Sequence, residues 1–206
     1  MTHTLHRRGS VDSMSRDYVF ICIPAKGFND QGSDAKLAEF LRISLRHKPV
    51  NIGCVPKPGN MYANPTDDII AQAHGVAHAV YDNEQAATAF LKDLVAADLG
   101  ISIVFTGLLD KVNECCKKAG LTRHTVEYSL GLWGNTDDMP EEDVLQVTTM
   151  CGHGMLSPAL VRQMVDQVRR GQTTAREVAE TLGSQCTCGV FNPSRAAELI
   201  DAMAHK

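Results

Sequence analysis

Two short stretches carry the residues most able to do chemistry, Cys151-Gly152-His153-Gly154-Met155-Leu156-Ser157-Pro158 and Cys186-Thr187-Cys188-Gly189-Val190-Phe191-Asn192-Pro193. They share one frame: a cysteine, any residue, a soft or borderline metal ligand, a glycine, two apolar residues, a helix-capping residue and a proline. In an extended or gently turned segment, side chains two apart leave the same face of the backbone. Cys151 with His153, and Cys186 with Cys188, therefore each aim two donors at one point. The glycine lets the backbone turn in close beneath a bulky ion. Ser157-Pro158 and Asn192-Pro193 are helix starts, with the capping residue first and proline at the first helical position. A helix N-terminus favours a thiolate or a bound anion.

Four donors in two matched pairs predict a metal site built from Cys151, His153, Cys186 and Cys188. The other readings are two buried turns whose sulfurs only pack, since free cysteine behaves as a small hydrophobe, and a Cys186–Cys188 disulfide, which would close a strained ring. Three cysteines can hold three corners of a [4Fe–4S] cube and leave one iron open, a set that resembles the sites of iron–sulfur hydro-lyases. That resemblance implies a [4Fe–4S] cluster; zinc is the alternative cofactor, because Cys3His is an accepted zinc set. Around such a centre His153 is the expected proton donor or fourth ligand, and Arg195, on the first turn of the last helix, the expected clamp for a substrate carboxylate.

The rest of the chain must position this site. At 206 residues, with 44% hydrophobic and 21% charged residues, it can bury a real core without needing metal to fold. A net charge of −4 and 5% aromatic content argue against nucleic acid as a partner. No apolar run is long enough for a membrane span. Seven cysteines, an odd number, and the absence of an apolar leader after Met1 point to a reducing, cytoplasmic compartment. The expected partner is a small-molecule substrate; the oligomeric state stays open.

Residues 1–16 have no periodicity and read as a flexible arm, with His3 and His6 solvated. Residues 17–150 read as an α/β (α+β) domain with a mixed β-sheet flanked by helices. Continuous apolar runs predict strands at 18–23, 50–55, 76–81 and 101–105. Helical spacing with caps predicts helices after Ser33, Thr66, Asp82 and Leu108. Two more strands are expected at 125–130 and 144–149, the second delivering Cys151. Residues 151–206 read as a small C-terminal helical lobe carrying the Cys/His site. His78 reads as a core or edge histidine.

Loops supply the candidate substrate-binding residues. Three prolines keep residues 56–65 out of helix and central strand, so Asn60 and Tyr62 could line a polar mouth. Thr106 and Gly107 end a strand and turn into a helix, a corner suited to an anion. Trp133, the only tryptophan, sits between glycines in a loop, a natural lid. Together these features predict a metal-dependent lyase or hydrolase, with a non-catalytic metal-binding accessory protein as the alternative.

Overall fold

The computed structural model describes residues 3–206. A short helix, α1 (Val11–Met14), precedes strand β1 (Tyr18–Ile23); α2 (Ser33–Arg46), β2 (Asn51–Val55), the brief β3 (Gly59–Asn60), α3 (Thr66–Ala71), β4 (Val76–Tyr81), α4 (Glu84–Ala97), β5 (Ser102–Thr106) and α5 (Leu109–Lys118) follow. The remaining helices are α6 (Glu142–Thr148), α7 (Pro158–Arg169), α8 (Ala175–Gln185) and α9 (Pro193–Ala204).

The fold is α+β, with a five-stranded sheet in the order β3-β2-β4-β1-β5. Every ladder is antiparallel, which corrects the expected mixed sheet. Without β3, the order is the split β-α-β-β-α-β arrangement of ferredoxin-like folds, in which β1 and β4 sit centrally and the crossover helices cover one face. The four long strands are those read from their apolar runs, because a strand buried on both faces needs no polar alternation.

Both faces are covered. Tyr18, Phe20, Cys22, Ile52, Cys54, Ala77, Ala79 and Tyr81 point into a core shared with α2, α3, α4 and α5. Val19, Ile21 and Val80 point the other way, into a second core built with α6 to α9. The C-terminal helices are thus the sheet's second layer, packed directly on β1, β2 and β4. His78 lies on that face, opposite Gly53 in the β2–β4 register.

Two expected strands are absent, each for a physical reason. Residues 144–149 belong to α6 and its C-cap. Val144 and Val147, three apart, are its buried stripe, and Glu142 and Asp143 in its first turn suit the helix dipole. Residues 125–130 lie outside regular structure, with Tyr128 and Leu130 exposed. Alternation stabilises a strand only when one side is buried, and both faces of this sheet already have their layers. The helix after β4 is capped by Asn83, whose side chain accepts from Ala86 N, one residue later than the Asp82 start.

Residues 3–16 are also not a solvated arm. Thr4 and Arg7 are buried, and the segment runs between the sheet edge and the C-terminal layer. A guanidinium able to pair with Asp17 and to donate to carbonyls of both cysteine stretches has more to gain docked than free. No helix among the described residues is long and apolar enough to cross a membrane.

Candidate metal centre

Each cysteine stretch is a loop between two helices: Cys151 follows α6 and precedes α7, while Cys186 caps α8 and precedes α9. The caps form as expected. The Ser157 side chain accepts from Leu160 N at 3.1 Å and Asn192 from Arg195 N at 3.0 Å. The helix–loop–helix repeat, rather than the loops alone, brings the two stretches to one end of the layer.

There Cys188 meets two of the other three sequence-predicted ligands. Cys186 Sγ lies 3.9 Å from Cys188 Sγ, and Cys188 Sγ lies 3.7 Å from His153 Nδ1. The Cys151 thiol lies near enough to that of Cys186 for each to shift the other's titration. All three cysteines are buried, whereas His153 and Met155 are exposed. The sulfurs form the floor of a site that reaches solvent on the His153 side.

Two further histidines complete the cluster. A ligand atom of His3, one of His78 and the sulfur of Cys188 all lie within 4.8 Å of one another. The His3 ring stacks on His153 with centroids 4.4 Å apart and meets His78 edge-on at 5.8 Å. This Cys/His group could hold a metal ion. His78 was legible only as a core residue and His3 as part of a tail. The overlooked signal is parity: in β4, Ala77 and Ala79 face the α2–α5 core, so His78 must face the other layer.

The polar atoms of these histidines support a ligand role. Neither ring nitrogen of His78 has a hydrogen-bond partner, nor does Nε2 of His3. A buried polar atom left unpaired costs about 1–3 kcal/mol, and a metal would satisfy it. Burial pushes the His78 imidazole down to about 3, with His3 and His153 adding to the effect. It is therefore the neutral base that a metal needs. Among the thiols, Cys188 is shifted down, chiefly by its hydrogen bond with Cys186, with the Arg7 charge contributing; the Cys186 and Cys151 thiols are pushed up. Cys188 is the sulfur that ionises first.

The sheet positions the loop that carries Cys188. Gly53 of β2 lies beneath it, and a Cβ built there would stand 2.5 Å from Cys188 O; one built on Gly189, at φ +79°, would stand 2.7 Å from Gly53 N. Only two glycines allow this approach. Asn51 Nδ2 donates to Phe191 O at 2.9 Å, and Asn60 Nδ2 donates to Cys186 O at 2.9 Å and Ser184 O at 3.2 Å.

A buried ionic network holds the two loops together. Arg7 donates to Asp17 and, through its other terminal nitrogen, to Met150 O at 2.9 Å and to Val190 O. Those carbonyls flank the Cys151 and Cys188 stretches. Asn192 Nδ2 donates to Arg16 O at 2.9 Å and to Asp17 at 3.1 Å. Two guanidiniums, those of Arg7 and Arg195, face one carboxylate, and the Arg7 charge is felt by the Cys188 thiol.

The other predicted site residues lie elsewhere. Arg195, expected as a substrate clamp, is 1% exposed and bound to Asp17, Ser13 Oγ and Arg8 O. Its donors are turned inward, so it is a structural cation. Asn60 is fully buried and holds the Cys186 loop, as described, so it lines no mouth. Tyr62 is half-buried, its hydroxyl donating to Val50 O at 3.0 Å. Thr106 meets Thr4 Oγ1 at 2.9 Å, and Gly107 packs against Asp17 O and Val112. Trp133 is 85% exposed and touches its own loop, donating from Nε1 to Leu130 O.

Two clefts of about 440 and 460 Å³ lie on the far side of the molecule, along α4, one toward Lys118 and the other toward Gly100 and Ile103. Neither is lined by a residue of the thiol cluster. Comparison of the chain with known protein families, with curated proteins and with solved structures gives no match.

Proposed function

We propose that this protein is a metal-dependent enzyme of lyase or hydrolase type, in which Cys151, Cys186, Cys188 and His153 hold a divalent ion and a small polar or anionic substrate reaches it from the His153 side. The observation that supports the reading is the contact of Cys188 with both Cys186 and His153, donors from two distant loops. Two thiolates on one tetrahedral zinc, each at about 2.3 Å, stand about 3.8 Å apart, and a thiolate and an imidazole about 3.6 Å. The Cys186–Cys188 and Cys188–His153 separations of 3.9 and 3.7 Å are of that size, two of the edges such an ion would span. Thiolates at the corners of a [4Fe–4S] cube sit on different irons and stand wider, so the spacing favours a single ion over the cluster. Such an ion would supply Lewis-acid polarisation of a substrate oxygen or sulfur. His153, exposed at the rim, is the ligand able to leave the ion and move a proton. All seven cysteines are free, which supports a reducing, cytoplasmic setting.

A closed structural site in an accessory protein is the second reading. It is favoured by the fact that four protein ligands fill a tetrahedral ion. Cobalt(II) substitution followed by addition of azide separates the two. An enzyme with an exchangeable position changes its visible spectrum as azide binds, and His153→Ala binds azide more readily. A closed centre leaves the spectrum unchanged. Protein purified without oxygen that is brown with iron and sulfide would replace the single ion by a cluster, and protein that binds no metal would end both readings.

A further inference from the structure

Six candidate donors lie in this region, and one tetrahedral ion uses four. The surplus is not scattered. His3 and His78 come from the N-terminal segment and the sheet, elements that contribute nothing to the Cys151/His153/Cys186/Cys188 set. With Cys188 they form a compact group of their own, every ligand atom within 4.8 Å of the others. Cys188 belongs to both sets.

We infer that the site holds two divalent ions bridged by the Cys188 thiolate: one in the Cys151, Cys186, Cys188 and His153 set, the second in a His3, His78 and Cys188 set with its fourth position open. The inference rests on the metal-centre reading above and assigns the reactive position within it. A thiolate sulfur has lone pairs for two ions. His78 is the independent observation: it is 1% exposed, neither ring nitrogen makes a well-formed hydrogen bond, and with only the Gly53 backbone nearby as a polar partner the ring has a nitrogen free for an ion at the second position. His3 Nε2 is unpartnered in the same way. The backbone of His3 runs directly against Gly152, where a Cβ would overlap the His3 carbonyl, so the Cys151 loop has no side chain there and the N-terminal segment can reach the thiols.

Charge then selects the substrate class. Three thiolates and one divalent ion leave a single negative charge, beside which stands the Arg7–Asp17 pair. A second divalent ion makes the whole positive, so its open position takes hydroxide or an anionic group such as a carboxylate.

The test is metal content by mass spectrometry after equilibration with zinc(II) and removal of free metal, for the full chain, His3→Ala and His78→Ala. Two equivalents are expected in the wild type and one in each variant. With cobalt(II), the paramagnetic resonance signal should rise to one equivalent and then fall as the thiolate couples the second ion to the first. His3 is half-buried at the rim, so His3→Ala decides the matter even should His78→Ala fail to fold. One equivalent in the wild type, unchanged in His3→Ala, would overturn the two-ion arrangement while leaving the single-ion centre intact. Binding of no zinc would remove both.

Discussion

One terminal nitrogen of Arg7 faces both carboxylate oxygens of Asp17 at 2.6 Å, with both side chains almost wholly excluded from water. The pairing frees the other nitrogen to reach the carbonyls beside each cysteine stretch. Removing one partner of a buried ion pair costs at most about 3–5 kcal/mol, and here Asp17 keeps Arg195 and Asn192 as partners while the two carbonyls lose their donor. Arg7→Met should lower the unfolding free energy by up to that amount in urea titrations. It should also weaken zinc binding in a chelator competition, although Arg7 touches no metal ligand side chain. Unchanged zinc affinity in a destabilised Arg7→Met protein would mean that the two loops keep their spacing without the bridge.

Asn60 distinguishes a scaffold from a substrate mouth. Its amide donates to the carbonyls of Ser184 and Cys186, so Asn60→Ala removes a donor from each, at about 1–3 kcal/mol in all, with Cys186 O keeping only Gly189 N. The expected outcome is a lower melting temperature and faster zinc loss to a chelator. A side chain that served substrate alone would leave both unchanged.

Buried thiols on the other side of the sheet set the alkaline limit. Burial, with a contribution from Cys54, pushes the Cys22 thiol up to about 12 from an ordinary 9.0. The folded state thus holds a proton that the unfolded chain gives up between those values. This contribution to stability is fully present below pH 9.0 and is lost as pH rises toward about 12. Unfolding free energy measured in urea should fall across that window, by at most about 1.4 kcal/mol per pH unit for each such group. Cys22→Ala should flatten the slope while leaving zinc content unaltered.

Trp133 gives a spectroscopic check on its loop. At 85% exposure, its emission should be that of a solvated indole, quenched by acrylamide almost as fully in the native protein as in urea. Trp133→Ala should change stability by less than about 0.5 kcal/mol and leave metal content alone. A blue-shifted native emission would show that the loop folds over onto something.

Much of this architecture can be read from local pattern. The apolar runs of β1, β2, β4 and β5, the caps at Ser157 and Asn192, and the duplicated frame around Cys151 and Cys186 are all properties of a few adjacent residues. They determine the strands, where α7 and α9 begin, and which donors share a loop. Local pattern failed where partners decide. The alternation at 125–130 means strand only if a neighbour and a covering layer exist, and here neither does. At 144–149 the two valines three apart and the acidic first turn describe a helix as well as alternation describes a strand, and packing against α7 and α9 selects it.

The amino-acid sequence on its own determined a thiol-rich protein with two loops of matched Cys-x-[His/Cys]-Gly frame, because that depends on spacing within each loop. Only the tertiary structure decided that His3 joins them from the N-terminus and His78 from the sheet, that Asn60 and Arg195 hold the scaffold instead of meeting a substrate, and that Arg7 ties the loops together. These are distances between segments up to 185 positions apart, as from His3 to Cys188. They are set by which face of a strand meets which helix layer and by where buried charges must find partners, and neither is written in any local stretch of the chain.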